Sequence, residues 1–213
     1  MLKEYLEVTE MLNFRSQEIQ KLVVKKHWSN LTEYNKIKSI YEFVQNDILF
    51  GYNSSDTLNA VQVLHDGFGQ CNTKATLLMA LLRSVNVPCR LHAFNVSKDF
   101  QNGAIPKVIS WFTPAQILHT WVEVWFKNEW IILEGVIIDK KYIGAVRKKF
   151  SSHIGLFKGY AIVLMLPWTV MISLYHAVVR LPGYLSWNVP FDGADSRPIT
   201  KGLSSYIHAL PAL

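Results

Sequence analysis

The chain has 213 residues, enough for one domain with a hydrophobic core, alone or with an appendage. Half of the residues are hydrophobic and 18% are charged, a composition that excludes general disorder. The net charge is +6, but the basic residues fall in small groups with no nucleic-acid-binding motif around them, so we expect no nucleic-acid partner.

The cysteine and histidine patterns exclude two further classes. Two cysteines do not make a disulfide framework. Acidic residues occupy the N-terminus, where a cleaved export signal would need an apolar stretch. We therefore predict a cytoplasmic protein. The sequence contains neither a His-x-x-x-His pair nor a Cys-x-x-Cys pair. We therefore predict no metal and no cofactor.

Two amphipathic helices are predicted first, over residues 16–28 and 32–46. The second carries an apolar stripe of Tyr34, Ile37, Ile40, Tyr41 and Val44. A turn or short extended piece over residues 50–55 and a short helix over residues 57–64 then lead to the glycines at 67 and 69. The expected role of the two long helices is packing.

The third helix carries the first candidate for chemistry. The turn Gly67-Phe68-Gly69 places Cys71 at the start of an apolar helical pattern that must end by about Asn86, because Pro88 disfavours helical geometry before it. The N–H groups at a helix N-terminus favour an anion, so a thiol there ionises more readily and can become a nucleophile. The alternative for Cys71 is an inert buried side chain. Residues 89–94 are predicted to form a strand.

Residues 97–118 form a long connection that ends at a histidine. Connections of this length usually have a function or some structure of their own. Two interpretations stay open: one wall of a substrate cleft, or a surface excursion with a short helix over residues 114–118.

A β-hairpin is predicted over residues 119–134, with Lys127-Asn128 as its loop. In that register Trp125 lies opposite Trp130 and Trp121 opposite Glu134. The side chains of His119, Trp121, Glu123 and Glu134 then project from one face. A carboxylate on this face could orient the His119 imidazole for proton transfer, although each residue could also be merely structural.

The C-terminal part is strongly apolar. Residues 159–179 lack any formal charge, which satisfies the length rule for a membrane span. Pro167 and His176 interrupt the run, and we favour a packed apolar helix over a membrane anchor. The domains predicted are therefore a catalytic domain over residues 1–150 and a hydrophobic extension over residues 151–213.

Several motifs in this order resemble the transglutaminase-like superfamily, especially small bacterial members. They are Gly69-Gln70-Cys71 with the helix to Arg83, the Val87-Pro88-Cys89-Arg90 strand entry, His119-Thr-Trp-Val-Glu-Val124 and Trp130-Ile-Ile-Leu-Glu134. The resemblance implies an α+β papain-like fold, with N-terminal helices and the cysteine helix packed on an antiparallel sheet. It also implies a Cys71-His119-Glu134 triad. Most of the superfamily has aspartate at the place of Glu134, so Asp139 stays open as an alternative third member.

A cysteine enzyme that acts on a peptide or protein amide follows from this resemblance, by hydrolysis or by acyl transfer. In papain-like folds the nucleophile's own N–H and a second donor stabilise the oxyanion, and the candidates for that donor are Gln70, Tyr52 and Asn53. Two alternatives stay open. One is a binding or scaffold module without turnover, and the other is the same enzyme tethered to the cytoplasmic face of a membrane.

Overall fold

The computed structural model describes residues 2–152, 157–159 and 162–164, and residue contacts divide the chain into two units. Unit 1 comprises Met1–His92 and Thr120–Gly144, and unit 2 comprises Ala93–His119 and Ala145–Leu213. This division takes residues 93–119 into the second unit, and the predicted domain boundary at residue 150 stays a prediction.

Both predicted N-terminal helices form, although the first, predicted over residues 16–28, ends at Lys25. Helix α1 is Gln17–Lys25 and helix α2 is Glu33–Asn46, and they begin after Ser16 and Thr32, whose side-chain oxygens each accept a backbone N–H of the first turn. Short 3-10 helices lie at Lys3–Leu6 and Trp28–Asn30. The buried side chains lie on one face of each long helix: Ile19 and Val23 in α1, and Ile37, Ile40, Tyr41, Val44 and Gln45 in α2.

A short parallel strand pair leads into the central helix. Strand β1 (Leu49–Phe50) pairs with β2 (Phe68–Gly69), and helix α3 (Ala60–Asp66) lies between them in sequence. Gly67 ends α3 in the left-handed conformation, with φ of 68°. Helix α4 (Cys71–Ser84) follows at once, packs against α1, α2 and α3, and is buried from Thr73 to Arg83. It lies at the centre of the helices of unit 1.

The main sheet has the strand order β3 (Cys89–Ser97), β4 (Gln116–Phe126), β5 (Glu129–Leu133). The predicted hairpin register is confirmed, since β4 and β5 are antiparallel and Trp125 pairs with Trp130. Lys127 and Asn128 both have positive φ, of 52° and 67°, as a two-residue hairpin loop of type I′ requires. One face of the hairpin enters the core through Val122, Val124, Ile131 and Leu133.

The connection between β3 and β4 has structure of its own. A 3-10 helix covers Lys98–Gln101, and helix α5 covers Lys107–Phe112. The alternative of a helix over residues 114–118 is wrong, because β4 already begins at Gln116 and the Ala115 carbonyl accepts the Lys98 N–H at 3.0 Å. The interpretation of this segment as a cleft wall stays a prediction.

Helix α6 (Lys140–Lys149) and a small hairpin end the described chain. Strands β6 (Phe157–Gly159) and β7 (Ile162–Leu164) are antiparallel and lie against the 3-10 helix Lys98–Gln101. The predicted helix over residues 159–179 is therefore wrong at its start, where the β-branched residues Ile162 and Val163 extend a strand. The rest of that prediction lies outside the described residues. Within the described ranges, no helix combines the length and apolar character needed to cross a membrane.

Candidate active site

Cys71 is the first residue of α4 and is partly exposed. Its position confirms the predicted placement at a helix N-terminus, where the first backbone N–H groups have no partner within the helix. Cys89 is fully buried at the start of β3. Burial raises the pKa of the Cys89 thiol to about 11, although the nearby Arg83 guanidinium opposes the shift. The two thiols therefore differ in access to solvent.

The turn before Cys71 needs glycine for a steric reason. A Cβ atom at Gly69 would lie 2.6 Å from Thr73 Oγ1 and 3.0 Å from Lys74 Cγ. Any side chain at position 69 would therefore displace the Thr73 hydroxyl, which donates to Asn53 Oδ1. Gly69 thereby fixes the approach of β2 to the nucleophile candidate.

Hydrogen bonds tie the loop after β1 to the start of α4. Gln70 Oε1 accepts the Asn53 N–H at 2.7 Å, and Asn53 Oδ1 accepts the Thr73 hydroxyl at 2.7 Å. The side-chain amides of both residues also donate to carboxylates: Gln70 Nε2 to Asp56 at 2.7 Å, and Asn53 Nδ2 to Asp66 at 2.8 Å. Two of the three oxyanion candidates, Gln70 and Asn53, therefore lie in one network directly before Cys71.

Tyr52, the third oxyanion candidate, lies in the same loop. Its side chain is 42% exposed and its ring packs edge-on against Phe50, with centroids 5.6 Å apart. Phe50 in turn packs against Tyr142 at the start of α6. The rings of Tyr52, Phe50 and Tyr142 thus form a continuous series of aromatic contacts.

Glu134 lies one residue beyond the last pair of the β4–β5 ladder, Val122–Leu133, and its side chain is exposed. The predicted pairing with Trp121 is therefore not part of the ladder. Instead, the Tyr41 hydroxyl donates to the Glu134 carbonyl at 2.8 Å, and Gln45 Nε2 donates to the Gly135 carbonyl at 3.2 Å. Helix α2 therefore fixes the backbone that carries this carboxylate.

Asp139, the alternative acid, is buried and both of its oxygens accept backbone N–H groups. Oδ1 accepts from Tyr142 at 2.7 Å at the start of α6, and Oδ2 accepts from Phe50 at 2.7 Å. Such contacts are typical of a helix cap.

Lys74, three residues after Cys71, is a buried cation that the sequence analysis missed. Its side chain is fully buried, and Nζ donates to three carbonyls, those of Gln45, Ile48 and Ile137, at 3.1, 2.7 and 3.2 Å. Burial lowers the pKa of Lys74 to about 7, against the opposing charge of Asp139. The sequence feature that could have indicated this buried lysine is its position within the apolar pattern of a buried helix.

His119 lies in the unit 2 part of β4 and is 7% exposed. Its ring meets Phe94 of β3 edge-on, with centroids 5.3 Å apart. The contact with Phe94 and the burial of His119 restrict the orientation of its imidazole.

Glu123 forms a second charged cluster on the sheet, and its carboxylate is nearly buried. Its Oε2 lies 2.7 Å from Arg90 Nε and 3.1 Å from His92 Nε2. The His92 ring stacks on Trp121, and the Arg90 guanidinium lies over Trp130. Burial raises the pKa of Glu123, but the hydrogen bonds from His92 and Arg90 outweigh it and hold the pKa below its usual range.

No group of three or more metal-ligating side chains occurs among the residues that the structure describes.

Comparisons with known proteins give the family. The model of the transglutaminase-like superfamily matches residues 21–135. Among solved structures, the chain is similar to a candidate cysteine protease from Cytophaga hutchinsonii, with 20% identity and a TM-score of 0.47. That similarity covers 62% of this chain, which spans 40% of the length of the other. No curated protein matches the chain. Because the family model covers more than half of the sequence, the chain belongs to the transglutaminase-like superfamily.

Proposed function

We propose that the chain is a cysteine-dependent enzyme that hydrolyses an amide or transfers its acyl group, with Cys71 as nucleophile. The observation that carries the proposal is the setting of Cys71. It is a partly exposed thiol at the first residue of a buried helix, and the loop before it is held by hydrogen bonds. A nucleophile needs access to substrate and a fixed backbone, and this position supplies both.

In the proposed reaction, the Cys71 thiolate attacks the amide carbonyl carbon and forms a carbon–sulfur bond. The carbon–nitrogen bond breaks as His119, in its protonated form, gives a proton to the departing amine. Water or a second amine then attacks the thioester, loses a proton to His119 and releases Cys71 as thiolate. Water gives hydrolysis, and an amine gives transamidation.

Glu134 is the acid that we favour to orient His119. Its side chain is exposed, and its backbone is fixed by Tyr41. Both oxygens of Asp139 already accept backbone N–H groups, which favours a structural role for that residue. For the oxyanion, we propose the Cys71 N–H with a second donor from Gln70 or Tyr52. Both Asn53 Nδ2 hydrogens are already donated, to Asp66 and to the Phe68 carbonyl.

The substrate class proposed is a peptide or protein amide. The test offers a library of peptide amides to the wild-type chain, Cys71→Ala and the control Cys89→Ala, and follows amine release and the acyl adduct by mass spectrometry. We expect turnover to fall about 10³-fold or more in Cys71→Ala and to persist in Cys89→Ala. A folded wild-type chain that binds peptides but forms no adduct would favour the scaffold module instead.

A further inference from the structure

Helix α5 in unit 2 exposes an unusual number of large apolar side chains. Trp111 and Phe112 are 83% and 85% exposed, Val108 is 70% exposed and Ile109 is 54% exposed. Leu118, at the start of β4, is 60% exposed. Single exposed apolar residues are ordinary, but four large ones within one six-residue helix, two of them aromatic, are typical of a surface that contacts a partner.

The formal charge of the chain is concentrated in the same unit. Unit 1 contains thirteen of the 22 Lys and Arg residues and thirteen of the 16 Asp and Glu residues, so its charges cancel. Unit 2 contains the other nine basic and three acidic residues, which gives it the whole net charge of +6. A partner of unit 2 is therefore expected to be anionic.

Two basic residues lie in or against α5. Lys107 opens α5 and is exposed, and Lys98 Nζ donates to the Ser110 carbonyl within α5 at 3.4 Å. Further basic residues in the described part of unit 2 are Arg147, Lys148 and Lys149 at the end of α6, and Lys158 in β6. Across those described ranges, Asp99 is the single acidic residue.

A lipid surface with anionic headgroups offers an apolar phase and negative charge side by side. Tryptophan and phenylalanine are favoured at that boundary, and lysine and arginine are attracted to the phosphates. The sequence of unit 2 also contains the charge-free residues 159–179, which agrees with an apolar environment for this unit.

We propose that unit 2 binds the surface of an anionic lipid bilayer, with the Trp111 and Phe112 side chains in the headgroup region and with Lys98 and Lys107 on lipid phosphate. This proposal does not depend on the reaction proposed above.

The test is co-sedimentation of the full chain with phosphatidylcholine vesicles, with and without phosphatidylglycerol. We expect binding to the anionic vesicles that weakens as salt is raised. Trp111→Ser/Phe112→Ser should weaken it about tenfold, because the anchoring rings are lost. The matched control is Met11→Ser/Val24→Ser, which removes two exposed apolar side chains from unit 1 and should leave binding unchanged.

Three outcomes would overturn the proposal. The first is no preference for anionic vesicles. The second is unchanged binding in Trp111→Ser/Phe112→Ser, which would place the contact elsewhere in the chain. The third is vesicle-independent self-association that this variant abolishes, which would identify a second copy of the chain as the partner of α5.

Discussion

The two ends of the α4–β3 segment hold the two cysteines in opposite environments. At the front, Cys71 is partly exposed behind a polar network of loop and helix residues. At the back, Cys89 is fully buried and its thiol lies 3.6 Å from the Met79 carbonyl. The same side chain is thus a candidate nucleophile at one end and a small core residue at the other. The two cysteines differ in their access to solvent and in the hydrogen bonds that hold the backbone around them, although the residue type is the same.

The largest expected effect tests this contrast directly. At neutral pH, iodoacetamide should alkylate Cys71 about 10³-fold faster than Cys89. The thiolate fraction of a thiol with a pKa of about 11 is very small, and reagent reaches a buried thiol only through opening of the core. Peptide mapping by mass spectrometry after timed labelling measures both rates. Equal rates would show that the two environments do not differ in solution.

A second, smaller effect separates the two acids near the proposed site. Glu134→Gln should lower turnover roughly 100-fold with little change in melting temperature, because an amide cannot stabilise an imidazolium as a carboxylate does. Asp139→Asn should instead lower the melting temperature and affect turnover much less, because its oxygens accept the Phe50 and Tyr142 N–H groups. Loss of turnover in Asp139→Asn alone, at unchanged stability, would reverse the assignment.

The smallest expected effect concerns Lys74. Its folded pKa, about 7, lies below the ordinary lysine value of 10.5, so the unfolded chain binds more protons between these values. The free energy of unfolding should therefore rise with pH above about 7, by about 2 kcal/mol up to pH 9 at this one site. Lys74→Met should lack that rise.

Urea unfolding at several pH values measures the slope, and Lys21→Met, at an exposed lysine of α1, is the control. The comparison should stop near pH 9, because the raised pKa of Cys89 acts in the opposite direction above it. An identical slope in wild type and Lys74→Met would mean that Lys74 is not deprotonated in this range.

The parts of the fold that follow from local rules could be predicted. Ser16 and Thr32 cap the helices that they precede, and the loop Lys127-Asn128 sets the register of β4 and β5. Gly67 ends α3, and Cys71 opens α4 a few residues later. In each case the determining residues lie within a few positions of the feature.

Features that depend on distant parts of the chain could not be predicted in the same way. The ladder stops before Glu134 because Gly135 turns the chain, with φ of 82°, and Tyr41 of α2 binds the carbonyl there. The bonds of Lys74 run to carbonyls that are distant in sequence, and no side-chain pattern reveals a carbonyl acceptor. The apolar stretch after residue 158 fits a helix and a strand equally well by hydrophobicity, and β7 shows which holds at its start.

The carbonyl contacts of Lys74 have a consequence for how this family member can vary. Every amino acid carries a carbonyl, so the anchor demands a backbone position at residues 45, 48 and 137 but no particular side chain. Those three sites can therefore change within the limits of packing. A change at Lys74 itself leaves three buried acceptors without their donor at once, and no single substitution elsewhere can replace it. Substitution tolerance around the start of α4 should thus be sharply uneven, lowest at the lysine and higher at all three of its partners.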